Sequence, residues 1–250
     1  MAVYEDCGYL EIIKGPMFSG KTTRLLDIYK KYSFCEISTL VINYEKDNRY
    51  SDIMLSSHDK VMIPCVKALH LSDVVDVKTF NTTGKHYVDF LNAKVILINE
   101  GQFFDDIVDW VTIAVEKYHK NVYICGLNSD YKRNKFGNWL ELETISDNVV
   151  MLHSFCSKCK KKDAIFTHRL TKDVELELIG TDCYIPVCRK CYNDLSDIKN
   201  TEIDMRMHKP IINTSITRNR PPNPIFAEPP IFAEPPIFAP NIHYYPLPKC

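Results

Sequence analysis

The chain has 250 residues, 45% of them hydrophobic and 25% charged, with a formal net charge of −1. A charge this close to zero argues against a protein whose main task is sequence-independent binding along a nucleic-acid backbone, which needs a basic surplus. No run of 18 apolar residues occurs, and the start, MAVYEDCGYLE, is acidic where a signal peptide is basic and then apolar. A soluble, intracellular, cytoplasmic chain that does not engage a membrane is therefore expected, long enough for one α/β domain plus a smaller unit.

The first organised stretch is LEIIKGPMFSGKTT, Leu10 to Thr23. Leu10, Ile12 and Ile13 predict a strand that stops at Gly15, and Gly15, Gly20, Lys21 and Thr22 satisfy G-x-x-x-x-G-K-[ST] before a helical pattern. Such glycines let backbone N–H groups turn inward around a polyphosphate, and the following helix points its positive end at it. In this pattern Lys21 reaches the β- and γ-phosphates and the Thr22 hydroxyl ligates Mg²⁺. Leu25, Leu26, Ile28, Tyr29 and Tyr32 set the apolar face of a helix from Lys21 to Tyr32.

Thr39 to Ile42 reads as a buried parallel strand and completes a βαβ unit. EKDNRYSDIMLSSHDK follows as a polar loop carrying Asp47, Arg49, His58 and Asp59. Val61 to Val66 predicts one strand, placed at an edge by Pro64, and Leu69 to Val77 a short helix. Lys94 to Ile98 is a central strand by its β-branched, uncharged run, ending in Asn99 and Glu100, where a Walker B acidic pair belongs. Asp105 to His119 predicts a helix with Asp105 and Asp106 in its first turn, where negative charge suits the dipole. Val122 to Cys125 is a further strand and GLNSDYKRNKFGN a polar loop. The alternation implies an α/β phosphate-loop domain over residues 1–150, with a mostly parallel sheet flanked by helices and a site beyond the carboxyl ends of its strands.

From Met151 the character changes. Cys156, Cys159, Cys188 and Cys191 form two C-x-x-C pairs 28 residues apart. Four thiolates suffice for a closed, structural Zn²⁺ site, so residues 151–195 are expected to form a small zinc-binding β arm. The alternating Thr167 to Asp182 segment predicts a hairpin, and the neighbouring lysines a solvated face compensating the anionic centre. Cys7, Cys35, Cys65, Cys125 and Cys183 are expected to be reduced and mostly buried small hydrophobes. Residues 196–250 hold eleven of the fourteen prolines and an approximate P-P-I-F-A-E repeat. That composition predicts a disordered or polyproline II tail with either an unknown ligand or no ligand at all.

GPMFSGKTT, KDNRY, ILINEGQFFDDIV, the loop ending in KFG, and the C-x-x-C pairs flanking a T-x-R-L segment together resemble the type II thymidine kinases of animal cytosol, bacteria and large DNA viruses. The resemblance runs over about residues 8 to 193 in the right order. It implies transfer of the ATP γ-phosphate to the 5′-hydroxyl of thymidine or deoxyuridine, feedback inhibition by dTTP and a homotetramer. Carried over by position, Glu100 is the catalytic base. Gly15, Pro16, Met17, Phe18, Ser19, Gly20, Lys21, Thr22 and Thr23 hold the nucleotide, with Asp47, Arg49 and Asn99 beside it. Met17, Phe103, Leu127, Tyr131, Phe136 and Thr167 wall the nucleoside pocket, closed by a lid on the zinc arm with Leu176, Gly180 and Tyr184.

The sequence departs from that family at three places. Asn99 stands where an aspartate helps hold Mg²⁺, Gly180-Thr181 where a double glycine is common, and Tyr131 where phenylalanine is usual. An amide brings no negative charge to the metal. The second reading is therefore a catalytically weakened nucleoside-binding or interaction module, and a third treats the zinc knuckles as a nucleic-acid unit on a generic ATPase.

Overall fold

The computed structural model describes residues 7–47, 54–56, 62–79, 85–171 and 183–196, all within one compact unit. In chain order the first part runs β1 (Tyr9–Gly15), α1 (Lys21–Phe34), β2 (Thr39–Tyr44), β3 (Met54–Ser56), β4 (Met62–Pro64), β5 (Val66–Ala68), α2 (Leu71–Val74) and α3 (Tyr87–Asn92). It continues with β6 (Val95–Ile98), α4 (Ile107–Glu116), β7 (Asn121–Leu127), a 3-10 segment Trp139–Ile145 and β8 (Asn148–Met151). Six strands form one sheet in the order β5-β2-β6-β7-β1-β8, and every pairing in it is parallel.

The continuous apolar strands follow from burial on both faces. Leu10, Ile12, Ile42, Ile96, Ile98, Val122 and Ile124 face α2, α3, α4 and the 3-10 segment, with Phe90, Trp110, Val111 and Trp139 filling that layer. Ile13, Val41, Val95, Leu97, Tyr123 and Cys125 face Leu25, Leu26, Ile28 and Tyr32 of α1 on the other side. In-register pairing brings the carboxyl ends of β1, β7 and β6 to one edge, with Gly15 opposite Leu127 and Ile98 opposite Ile124. That edge carries the site.

Several expectations need correction. The single strand over Val61 to Val66 is two strands: β4 pairs antiparallel with β3, and β5 pairs with β2 at the sheet edge. β3 itself lies in the stretch read as a loop, and α3, the 3-10 segment and β8 are additional elements. Asp106 is the N-cap of α4, not a first-turn residue, and its carboxylate accepts from Leu71 N and Ser72 N at the start of α2. Of the five cysteines expected to be mostly buried, only Cys125 is; Cys7 and Cys35 are exposed, and Cys65 and Cys183 are half-buried.

The arm comprises β9 (Ser154–Phe155), β10 (Asp163–Ala164), β11 (Phe166–Arg169) and β12 (Tyr184–Val187), followed by helical residues 189–196. β11 and β12 pair antiparallel, with Thr167 opposite Pro186 and Arg169 opposite Tyr184. Of the segment expected to form a hairpin, Thr167 to Arg169 is described as strand, but its partner strand lies beyond Asp182; residues 172–182 lie outside the described residues, as does the tail. No described helix is long and apolar enough to cross a membrane.

Candidate active site

Gly15 ends β1 where the chain must turn sharply. A Cβ there would lie 2.4 Å from Leu152 O and 2.6 Å from Ser19 Oγ, so only glycine fits. The loop then passes through Pro16 and Met17 to Phe18 and Gly20, both at positive φ, and Gly20 is the N-cap of α1. Around Gly20 the space is open, so its requirement is the left-handed backbone. Ser19 Oγ and Lys21 Nζ each donate to Pro16 O at 2.8 Å, which folds the lysine over the loop. Lys21 and Thr22 are half-buried and Thr23 is exposed. Backbone N–H groups at a helix start together with an overhanging ammonium suit a polyphosphate.

Asn99 and Glu100 follow β6. β7 lies between β6 and β1 in the sheet. Asn99 is nonetheless in reach of the loop: Thr22 Oγ1 donates to its Oδ1 at 3.5 Å, and Cys125 Sγ on β7 lies 3.0 Å from the same oxygen. The Asn99 Nδ2 donates to Asn43 Oδ1 at 2.8 Å, and Asn43 Nδ2 donates to Asp47 Oδ2 at 3.4 Å. Asn99 and Asn43 are both buried. The donor set, one hydroxyl with an amide oxygen behind it, fits a hydrated Mg²⁺, which takes few direct protein ligands and keeps several waters.

Glu100 is half-buried and held at φ 58, ψ 45. For a non-glycine residue that backbone is costly, by about 1–3 kcal/mol, and such outliers gather at functional sites. Its Oε2 accepts from Gln102 Nε2 at 2.6 Å, and the Gln102 Oε1 accepts from Leu127 N at 3.0 Å. The amide of Gln102 is thereby fixed between β7 and the carboxylate.

The aromatic wall falls into linked groups. Phe103 stacks on Tyr44 with centroids 4.7 Å apart and meets Phe136 edge-on at 5.3 Å. Thr167 Oγ1 accepts from Met17 N at 3.0 Å, joining the phosphate loop to β11. Two residues on, and so on the same face of β11, the buried Arg169 guanidinium lies 4.0 Å from the Tyr131 ring centroid and 5.0 Å from that of Tyr184, to whose hydroxyl it also donates. Asp130 shapes the turn beneath Tyr131 by accepting from Lys132 N and Asn134 N. Tyr192 OH donates to Tyr131 O at 2.8 Å, docking this turn on the arm.

Cys156, Cys159, Cys188 and Cys191 place their sulfurs within 4.8 Å of one another, with Cys159 and Cys188 Sγ 4.0 Å apart. Two sulfurs at about 2.3 Å from a tetrahedral zinc stand about 3.8 Å apart, so the set fits. Burial pushes the Cys156 thiol up, but backbone N–H groups of Cys159, Cys188 and Lys158 outweigh it and hold it at about 6. Burial and the other three thiols push Cys191 up to about 12. Four sulfurs this close together suit a single tetrahedral cation.

The structure thus brings the loop, Asn99, Glu100 and Asp47 to the carboxyl edge, and Met17 to Thr167. Arg49, Leu176 and Gly180 lie outside the described residues. Gln102, Asn43 and Arg169 were given no role from sequence, although Gln102 sits in the EGQFF stretch and Arg169 in the T-x-R-L segment; Asn43 carried no signal at all.

A strand, a glycine-bounded loop and a helix start, with an acid at the end of another strand of the same sheet, define a phosphate-loop architecture. The family model described as thymidine kinase matches residues 8–192, and the chain belongs to that family. It is 38% identical over 188 residues to "Thymidine kinase" of Sheeppox virus (strain KS-1), covering 75% of this chain and 98% of the relative. It is 39% identical over 189 residues to "Thymidine kinase" of Oryza sativa subsp. japonica, covering 75% and 67%. With "Thymidine kinase, cytosolic" of Cricetulus griseus it shares 34% identity over 206 residues, 82% of each chain.

Proposed function

We propose that the chain transfers the γ-phosphoryl group of ATP to the 5′-hydroxyl of thymidine, and of deoxyuridine, giving dTMP and ADP. The observation that carries this reading is Glu100, held in a left-handed backbone at the end of β6 with its carboxylate clasped by Gln102. Glu100 takes the 5′-hydroxyl proton as the new O–P bond forms and the bond from the γ-phosphorus to the bridging oxygen breaks. The loop from Gly15 to Thr23 cradles the phosphates with its amides, and Lys21, with Arg49 from the KDNRY stretch, offsets their charge. Thr22 and Asn99, with Asp47 behind them, hold Mg²⁺, which when bound neutralises charge on the β- and γ-phosphates.

Met17, Phe103, Leu127, Tyr131, Phe136 and Thr167 wall the base, and the lid with Leu176, Gly180 and Tyr184 closes over it. Zinc on the four cysteines acts at one remove by anchoring that arm. The same pocket accommodates dTTP as a feedback inhibitor, the assembly is a homotetramer, and the location is cytoplasmic. The phosphate-loop unit, the arm and the proline-rich tail divide at about residues 150 and 195.

Asn99 Oδ1 faces Thr22 and accepts from its hydroxyl, which keeps an oxygen at this position though without the negative charge of an aspartate. The test is phosphorylation of a nucleoside panel with ATP while Mg²⁺ is varied. Thymidine and deoxyuridine are expected to be turned over in a Mg²⁺-dependent way; no product from either, across the Mg²⁺ range, overturns the reading.

A further inference from the structure

The buried pair Asn43 and Asn99 presents a problem of polarity. An asparagine amide has an accepting end and a donating end of nearly the same shape, and only its partners decide which way it points. At Asn99 the choice matters chemically. A threonine hydroxyl that ligates Mg²⁺ gives its oxygen to the metal and its proton to an acceptor behind it. With Oδ1 toward Thr22 the amide accepts that proton; with Nδ2 there, it would present two protons to a hydroxyl and a dication.

The partners nearest the loop do not decide the matter. The Thr22 hydroxyl can donate or accept, and the Cys125 thiol is a weak partner in either role. The decision comes from the far side. Asp47, with a carboxylate that when ionised only accepts, draws Asn43 Nδ2 at 3.4 Å. That turns Asn43 Oδ1 to Asn99 Nδ2, 2.8 Å away, and leaves Asn99 Oδ1 for Thr22. Donors thus run one way along Thr22, Asn99, Asn43 and Asp47, and each bond polarises the next.

We infer that Asn43 is a positioning residue for the metal site: it transmits the polarity of the Asp47 carboxylate to the Asn99 amide, so that an uncharged residue at the end of β6 presents oxygen to the Thr22-bound Mg²⁺. The inference rests on the reading of Thr22 and Asn99 as the Mg²⁺ site. It assigns a function to a buried residue on β2 whose side chain bonds Asn99 and Asp47.

The experiment is calorimetric binding of a non-hydrolysable ATP analogue to the full chain with and without Mg²⁺, the readout being the ratio of the two dissociation constants. Asn43→Lys offers Asn99 only donors and turns the amide round, so the Mg²⁺ enhancement is expected to fall by about 10-fold or more, the usual size of an outer-sphere effect on metal affinity. Asn43→Asp keeps an acceptor opposite Asn99 Nδ2 and is expected to retain the enhancement. In Asn43→Lys/Asn99→Asp a carboxylate accepts from both sides and the enhancement is expected to return. An unchanged ratio in Asn43→Lys, or a double variant as impaired as the single one, overturns the inference. Should Asn43→Lys fail to fold, the double variant and Asn43→Asp carry the test, and loss of enhancement in either overturns it. No Mg²⁺ enhancement in the unaltered chain would instead overturn the metal-site reading itself.

Discussion

Gln102 Nε2 donates to Glu100 Oε2 at 2.6 Å while its own Oε1 is held by Leu127 N. The amide cannot turn without losing both bonds, so it holds one oxygen of the Glu100 carboxylate in place. Replacing Gln102 by Ala removes that hold on the carboxylate. The expected result is a fall in kcat on the order of 10-fold, with the thymidine KM little changed, since positioning and not binding is lost. A KM effect with kcat intact would place Gln102 in the pocket wall instead.

The Met17 N–H bond to Thr167 Oγ1 joins the phosphate loop to the arm. Thr167→Val keeps the shape and removes the acceptor from a half-buried donor. It is expected to lower stability in urea by about 1–3 kcal/mol and to weaken ATP and thymidine binding together. Weakening of only one of them would show that the bond does not couple the two halves.

Zinc removal is expected to act on one side of the site first. The thiolate cluster packs with Ala164, Val187 and Tyr192 in a core of its own, separate from the two layers of the sheet. Cys188→Ser should lose the metal and raise the thymidine KM by about 10-fold or more, because metal binding is part of the arm's folding free energy. ATP binding, built on β1 and α1, should change far less. Equal loss of both would mean that the arm is needed to fold the whole chain.

Lys120 is buried at the opposite end of the strands, donating to Leu91 O and Ala93 O. Burial pushes its ammonium down to about 8, with Lys94 adding to the effect. The folded value lies below the unfolded one, so between them the unfolded chain binds more protons and stability rises with pH. The penalty is complete below about pH 8 and relieved as pH rises toward the ordinary lysine value. Against Lys120→Met, the unaltered chain should gain on the order of 1–2 kcal/mol between pH 7.5 and 9.5, measured by urea unfolding at each pH. A difference that does not vary with pH would contradict this.

What could be read from the sequence was what repeats along it. The strand runs ILI and VYIC are apolar on both faces, and the phosphate loop and the two C-x-x-C pairs are local patterns. What could not be read depends on partners far away in the chain. β8 is largely exposed and carries no strand signature; it forms because it pairs with β1, and Asp147 just before it accepts from Leu10 N at 2.8 Å, 137 residues away. Asp106 looked like a helix-dipole residue because its partners on α2 are 35 residues earlier. Asn43 reads as a polar end to an apolar strand until Asn99, 56 residues on, is folded against it.

The central claim is that Glu100 accepts the 5′-hydroxyl proton in a thymidine kinase reaction, and the most direct measurement compares Glu100→Gln with the unaltered chain. Glutamine keeps the shape but cannot take the proton. With saturating thymidine, ATP and Mg²⁺, kcat is expected to fall by about 10²–10⁴, while the calorimetric affinity for thymidine stays within about threefold. Turnover retained within about 10-fold would contradict the assignment of Glu100 as the base.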